Sequence, residues 1–534
     1  MSVEPLGTAR LSVCVILEPG DVPDWVLRIL DDLRNGGDAD LVQIVRATAP
    51  PTAPLPALLA YLRADHARVG EAPDPLAVRP LSYAEGTGSG HVAPLDLVLD
   101  FGGGAGPSVA SRLGTWSFRF GGLRLLKDGA ALFAEVARGD TWCDLALLCE
   151  APGSAPVVIA RTTSHVNDRS VWRTRAPVAW KARALLRRSL AALRREGPDA
   201  FLAAVRARVD QSRPVEPAPV TAGAFTAFRL RHLFRRFLVP YFLVRDQWRI
   251  GIRRRAPNDP PWGSRAWARG FRFIEAPPER FYADPFLFER DGRTFLFFED
   301  WDWAVGKAII SVAELDADGR LGRVAPALET AYHLSNPLVF AADGEIYMIP
   351  ETLAARRVEV YRAVDFPTRW DLHCVPINDL DIVDPCVFHD GTRWWLFAAV
   401  LDFGGSGWDE LHVFQADALC GPWLPVGDQP VLSDVRAALP GGRMWRKDGV
   451  LQRLAQNCAG GYGAGLGLYA VEEVDEQGYR QRTVAEVNAF DFGMNGVHAY
   501  DVTDRFEVVD GRHYQMAVRG WTAYWPFPRW FGKH

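Results

Sequence analysis

Three segments of this chain carry one pattern at near-constant spacing, and that spacing limits more than half of the protein to a repeated all-β architecture. ADPFLFERDGRTFLFFED starts at Ala283, SNPLVFAADGEIYMIPET at Ser335 and VDPCVFHDGTRWWLFAAV at Val383. The aligned polar residues Asp284, Asn336 and Asp384 lie 52 and 48 residues apart. A further step of 50 reaches Asp434 in SDVRAALPGGRMWRKDGVLQRLAQN, and GVHAYDVTDRFEVVDGRHYQMAV, from Gly496, reads as a fifth copy. Each copy is an apolar run, a turn built on Asp-Gly or its equivalent, and a second run rich in aromatic residues, which is the pattern of a β-hairpin. A period of about 40 to 50 residues with several strands per unit indicates propeller blades. About 250 residues at about 50 per blade gives five blades.

The remainder reads differently. A chain of 534 residues exceeds what one hydrophobic core supports. ARLSVCVIL (9–17), DLVQIVRA and LDLVLDF read as strands, with helical spacing from Trp25 to Leu33 and in LPALLAYLRADHARV between them. That alternation predicts a parallel α/β sheet, closed by one or two helices over 183–208. The expected organisation is an α/β domain over 1–210, a linker and basic amphipathic helix over 211–244, and the propeller over 245–534. The linker is the Pro- and Ala-rich stretch QSRPVEPAPVTAGA from Gln211 to Ala224. Between Phe225 and Arg255 stand nine arginines against the single acid Asp246. Such a helix either lies on an anionic membrane surface or docks between domains on its arginine stems. DQWRIGI, which follows, reads as the first propeller strand.

A net charge of -5 argues against a general binder of polyanions, so no nucleic-acid partner is expected. Seven cysteines without a C-x-x-C pair suit reduced thiols in a cytoplasmic protein. MSVEPLGTAR has no charged n-region leading into an apolar h-region, and no apolar run reaches about 18 residues. The expected location is cytoplasmic, with peripheral membrane contact through 225–255 as the alternative. No metal site is indicated.

In a propeller, equivalent positions of the innermost strands converge on the central funnel. This places Asp284, Asn336, Asp384 and Asp434 around one pocket; alternatively, Asp-Pro only caps a turn before the strand. Glycoside chemistry needs two carboxyl groups across the bond, and a third tunes the acid by like-charge repulsion. Glu299 and Glu351 hold almost the same place in their copies, after FLFF and IYMIP, and Glu410 is the third contender. Trp301, Trp303, Trp408 and Trp445 fall in connections, where flat apolar faces receive sugar rings or fill blade faces. Arg436, Arg443, Arg453 and His498 are cations for a phosphate or carboxylate on the substrate, or structural partners.

YADPFLF, YMIPET, DELHVF with GPW, SDVR, Gln456-Asn457 and Gly496-Val-His498 carry a resemblance over about 245–520. The region resembles the five-bladed propellers of glycoside hydrolases acting on furanosides. It also looks like the propeller region of plant glucosamine inositolphosphorylceramide transferases and of bacterial relatives fused to formyltransferase-like domains. The resemblance implies that Asp284 is base or nucleophile and that Asn336 stands where the hydrolases keep a second-blade aspartate. Asp384 supplies a carboxylate one blade later; Asn336, Asp434, Arg436, Arg443, Gln456, His498, Trp301 and Trp303 are the expected substrate contacts. The implied function is a carbohydrate-active enzyme of bacterial polysaccharide or glycolipid assembly acting on a saccharide or glycolipid. Glycosyl transfer is preferred to hydrolysis because the carboxylate set is incomplete and no export signal is present. The alternatives are a non-catalytic glycan-binding scaffold, a glycoside hydrolase, or amino-sugar formylation by the amino-terminal domain.

At the other end, LDLVLDFGGG, GTWSFRFG from Gly114 and SVWRTRAPVAWKARALLRRSLAAL resemble formyltransferase-like proteins of the amino-sugar and methionyl-tRNA group. This implies a Rossmann-like domain. In that family the strand carries Asn-x-His, and a later loop carries an Asp, for transfer from a formyl-folate. Ser117 and Arg119 occupy the Asn and His places here, with Asp140 and Asp144 the nearest acids. Arginine stays protonated and cannot serve as the base, so the site is expected to be degenerate, and formyl-folate is a cofactor only if the domain is active. GGGAG (102–106) matches neither G-x-G-x-x-G nor the P-loop pattern and reads as a flexible βα turn.

Overall fold

The computed structural model describes residues 10–47, 55–70, 72–83, 95–103, 109–126, 129–151, 153–212, 217, 220–238, 245–401, 406–427, 429–475, 478–518 and 521–524. The chain divides into two compact units, with the boundary between Leu233 and Phe234.

The first unit is built on a six-stranded sheet. Its order is Ala39–Arg46, Leu11–Leu17, Leu97–Asp100, Thr115–Phe120, Trp142–Glu150, Val157–His165. The first four strands are parallel, as the alternation of strand and helix predicts. Trp142–Glu150 runs antiparallel to both its neighbours, Thr115–Phe120 and Val157–His165, which corrects the all-parallel expectation. Trp142–Glu150 and Val157–His165 are joined by a short connection without the crossover helix that a parallel pair requires. Helices α1 (Asp24–Asn35), α2 (Pro56–Val69), α3 (Phe133–Arg138), α4 (Val171–Glu196) and α5 (Pro198–Arg208) complete the layers. Helix α4 begins at Ser170, whose side chain accepts from Arg173 N, and so starts well before the expected 183. Gln211, placed in the linker from sequence, is instead clamped to this unit through both Val158 N and Val158 O. Helix α6 (Ala222–Leu238) starts inside the stretch read as linker. Its Phe225 and Phe228 meet Tyr61 and Phe133 of the first unit edge-on or tilted, while Leu230 stays 65% exposed. Within GGGAG, residues 104–106 lie outside the described residues.

The second unit consists of five antiparallel sheets, four of four strands and one of five. The first three blades open on the repeat, with innermost strands Arg280–Arg290, Ser335–Ala342 and Ile382–His389. The Asp-Gly hairpins form as read: Asp291-Gly292, Asp343-Gly344 and, in the fourth blade, Asp448-Gly449 all have positive φ at both residues, the requirement of a tight I′ turn. The fifth copy differs. Asp510-Gly511 lies inside the long strand Phe506–Val518, and the chain reverses at Thr503–Arg505 instead. The strand Arg245–Arg254, which holds DQWRIGI, does not open the first blade. It pairs with Phe506–Val518 from Arg254↔Phe506 to Arg245↔Gln515 and completes the fifth. Blade faces are packed with large apolar side chains, Phe295, Phe297, Met348 and Trp370 between the first and second among them.

Two of the cysteines expected to be reduced, Cys374 and Cys420, are joined in a disulfide between the second and third blades. The other five are buried free thiols. No described helix is long and apolar enough to cross a membrane.

Candidate active site

The x-Asp/Asn-Pro motif forms one structure three times. In each copy the pairing with the next strand is interrupted across the motif, between Ala283 and Phe286, Ser335 and Leu338, and Val383 and Cys386. The polar residue bulges out with positive φ: 49° at Asp284, 46° at Asn336 and 48° at Asp384. Such backbone costs about 1–3 kcal/mol, least for Asp and Asn. The bulge turns each side chain and its N–H toward the axis, where the N–H meets a carboxylate of the preceding blade. Asp284 N donates to Asp510 Oδ2 at 3.3 Å, Asn336 N to Asp284 Oδ2 at 3.0 Å and Asp384 N to Glu351 Oε2 at 2.9 Å. The ring continues through Asn336 Nδ2 to Pro385 O at 3.3 Å, and Gln456 Nε2 of the fourth blade donates to Asp384 Oδ2 at 2.6 Å and to Pro440 O.

These groups floor a pocket of about 360 Å³, open to solvent, with Asp284, Glu299, Glu351 and Asp384 in its lining. Its walls are Trp248, Phe281, Trp301, Trp303 and Tyr462, with His333 and His498. Glu299 lies opposite Ala283 on the neighbouring strand, and Glu351 lies opposite Ser335 in the same way. The third blade has Ala399 at that place, opposite Val383.

Their ionisation is set apart by environment. His498 is clamped between two acids, Nε2 at 2.8 Å from Asp284 Oδ1 and Nδ1 at 2.8 Å from Asp510 Oδ2. Burial opposes its charge, but Asp510 and Asp284 outweigh burial and raise it well above the ordinary histidine value. Burial would likewise raise Asp284; the His498 imidazolium and the Asn336 N–H outweigh it and hold this carboxyl below its usual value. Glu299 has no such counter-charge in contact. Burial, then the negative charge of Asp284, push it well above the usual carboxylate range. Its carboxyl makes no hydrogen bond among the described residues; the nearest cationic candidate, His333 Nε2, is 3.8 Å away. Burial keeps His333 below its ordinary value, and its Nδ1 accepts from Ala308 N. Asp384 is raised well above normal by burial and then by Glu351, and Glu351 is raised by burial. One proton shared by that pair relieves two like charges.

Several expected substrate contacts lie elsewhere. Asn336 and Gln456 are buried in the ring outside the lining, Asn336 Nδ2 on Pro385 O and Gln456 Nε2 on Asp384, whereas His498, also buried, lines the pocket and holds Asp284. Asp434 and Arg436 pair with each other, Arg436 Nη2 to Asp434 Oδ2 at 2.7 Å, and neither lines the pocket. The 50-residue step fails there because the fourth blade enters on Pro440, which bridges to Ala455, and carries no Asp-Pro bulge. Arg443 binds Asp501 and Leu287 O, tying the fourth, fifth and first blades. Arg453 is buried against Ala437 O and Gln481. Trp445 packs on Tyr500, Trp408 on Tyr462, and Glu410 accepts from Ser433 away from the lining. Sequence reasoning missed Trp248, Phe281, His333, Tyr462 and Asp510. Only Asp510 carried a signal, an acid in the second strand of the fifth copy as Glu299 is in the first, and it was masked by its turn-like Asp-Gly context.

In the first unit, Arg119 Nη1 donates to Ser117 Oγ at 2.8 Å and to Phe118 O. Asp144 pairs with Arg161, and Asp140 with Arg138. The carboxylate beside Arg119 is Glu150, whose Oε1 lies 3.7 Å from Arg119 Nη2; an arginine in the histidine place stays protonated, so it does not fit the base that formyl-folate chemistry needs.

A five-bladed propeller with buried acids of divided ionisation under an aromatic rim defines the class of the second unit. Within it, residues 274–510 match the family described as glucosamine inositolphosphorylceramide transferase 1, N-terminal. The chain is 34% identical over 253 residues to glucosamine inositolphosphorylceramide transferase 1 of Oryza sativa subsp. japonica, covering 46% of this chain and 33% of that protein. For the Arabidopsis thaliana protein of that name the figures are 32% over 207 residues, 38% and 27%. The chain thus spans about a third of the length of these curated relatives. Solved structures similar to it include CoXyl43, a GH43 β-xylosidase/α-arabinofuranosidase from a compost microbial metagenome (12% identity, 47% of this chain and 96% of that one, TM-score 0.33). Another is the GH43 protein BlXynB of Bacillus licheniformis (16%, 38% and 43%, TM-score 0.30). The five sheets themselves, not these scores, establish the architecture.

Proposed function

We propose that the propeller pocket is a glycosyl-transfer site that acts on a saccharide or glycolipid. The observation that carries this reading is the division of labour between adjacent acids. Asp284 is held ionised by His498 and Asn336, while Glu299 is held protonated with no hydrogen-bond partner among the described residues and lines the same pocket. Two carboxyl groups whose environments push their ionisation apart are the usual basis for an acid and a base on one fold. Glu299 then donates a proton to the leaving oxygen, and Asp284 meets the developing positive charge at the anomeric carbon or activates the acceptor hydroxyl. Asp384 and Glu351, sharing a proton, keep the negative charge of the floor low enough for Asp284 to remain ionised. Trp301, Trp303 and Tyr462 supply ring faces for a sugar. The similarity to transferases named for glucosamine and inositolphosphorylceramide supports a phosphoglycolipid acceptor.

The ring of bonds between blades favours a second reading, a glycan-binding scaffold in which the repeated acids serve only to join blades. Asp284→Asn separates the two, because Asn336 shows that asparagine fits this bulge. Turnover of activated sugars and aryl furanosides should fall at least 100-fold in Asp284→Asn and Glu299→Gln, with thermal midpoints within a few degrees of wild type. Undiminished turnover in both variants would sink the catalytic reading. Saccharide binding that survives in both, without turnover in the wild type, would establish the scaffold.

A further inference from the structure

His333 lines the propeller pocket but belongs neither to the acid–base pair of Asp284 and Glu299 nor to the ring of bonds between blades. It stands in the connection between the strands Ala325–Leu328 and Ser335–Ala342, where a side chain wanders unless something holds it. One residue of the neighbouring strand Lys307–Leu315 does so twice. Ala308 N donates to His333 Nδ1 at 3.1 Å, and Ala308 O accepts from Leu334 N at 3.3 Å. Ala308 and Leu334 are both fully buried, and the Trp301 ring meets the imidazole edge-on at 5.4 Å. The imidazole is thus placed before any substrate arrives.

The bond from Ala308 also fixes the chemistry of the ring. A nitrogen that accepts an N–H carries no proton, so the neutral imidazole has its proton on Nε2. Burial holds His333 below its ordinary value, against the smaller opposing field of Asp284, and an imidazolium would set two N–H groups face to face at Ala308. Nε2 is therefore a donor, and it faces Glu299, with 3.8 Å between Nε2 and Oε1. That gap is too long for a direct hydrogen bond, but an oxygen about 2.8 Å from each atom fits between them. The His333 side chain is 36% exposed and that of Glu299 10%, so both are open to the pocket.

We propose that His333 is a third catalytic residue, whose Nε2–H donates to the same substrate oxygen that Glu299 protonates. This rests on the glycosyl-transfer reading of the pocket and adds a preorganised donor to it. The bond from the anomeric carbon to the leaving oxygen breaks with both electrons on that oxygen. The Glu299 proton ends there and leaves a carboxylate; the acceptor oxygen bonds the anomeric carbon, and its proton passes to Asp284. His333 keeps its own proton throughout and steadies the negative charge that gathers on the leaving oxygen before protonation is complete.

Asparagine and glutamine separate the two nitrogens of this ring. His333→Asn keeps an acceptor near the Nδ1 position for Ala308 N and has nothing at the Nε2 position; His333→Gln keeps a donor at the Nε2 position and gives up the acceptor. With phenyl furanosides and activated sugars as probes, His333→Asn should lower kcat at least about tenfold, with KM within about threefold and the thermal midpoint unchanged. His333→Gln should recover most of that kcat while its midpoint falls by a few degrees. A merely structural histidine would move activity and midpoint together. Wild-type kcat in His333→Asn, or a kcat in folded His333→Gln no higher than in His333→Asn, overturns the role of His333; if His333→Gln does not fold, His333→Asn decides alone. Asp284→Asn distinguishes this from failure of the underlying reading. An inactive Asp284→Asn beside a fully active His333→Asn removes only the third residue, whereas a fully active Asp284→Asn, or a wild type without turnover of either probe, removes both.

Discussion

At the scale of single residues, the site depends on which acids can stay neutral. Glu299, Glu351 and Asp384 have folded values raised by burial and then by neighbouring carboxylates, Asp284 acting on all three. The fold therefore favours their protonated forms, and stability declines as pH rises from their unfolded values near 4.5 and 3.8 through the folded ones. His498 is raised too; the stability it contributes is complete below about 6.5 and is lost as pH climbs through its folded value. Asp284 is lowered, so its contribution is present above about 3.8 and fades in stronger acid. The propeller's unfolding midpoint should therefore be highest on the acidic side of neutrality and fall toward pH 9, and Glu299→Gln should flatten that fall. A wild-type midpoint that climbs steadily from pH 5 to 9 contradicts the assignment of these charges. The sequence made the Asp284, Asn336 and Asp384 series readable, because one motif recurs in register. It did not reveal Tyr462, which reaches the pocket from a connection, or Trp248, which reaches it from the strand Arg245–Arg254 outside the repeated motif.

At the scale of elements, the hairpins of the repeat were legible and the exceptions have local causes. Asp-Gly made a turn wherever the flanking strands were free to end there. Gly511 instead sits mid-strand, where a Cβ would come within 2.6 Å of the Phe273 ring and 2.8 Å of Met494; close approach explains that glycine better than turning does. The antiparallel strand Trp142–Glu150 was hidden for another reason, since a strand's direction leaves no trace in its own residues. The Cys374–Cys420 link was equally invisible, because its members lie on separate blades 46 residues apart. Closing a loop of that length is worth about 4 kcal/mol in the chain-entropy treatment. Reduction, or Cys374→Ser, should lower the urea midpoint of the propeller without altering that of the first unit. An unchanged midpoint under strong reductant would show that the link adds nothing to stability.

At the scale of the molecule, the propeller is closed by the strand Arg245–Arg254, which the chain lays down first and uses last. A fragment beginning at Ala256 leaves Phe506–Val518 without that neighbour and exposes the apolar cluster of Ile250 and Ile252, Val508 and Phe506 among its members. We expect such a fragment to unfold without a sharp transition, whereas one beginning at Phe234 retains cooperative unfolding by circular dichroism. Equal cooperativity in both would mean that four complete blades and an unpaired edge suffice. The same pairing has a consequence for kinship. Because Arg245 and Gln515 lie side by side, the unit enters and leaves through one doorway, and a neighbour can be attached on either side without breaking the ring. A cassette of that form tolerates different neighbours, which suits a similarity to plant transferases that runs over 253 residues and a third of their length.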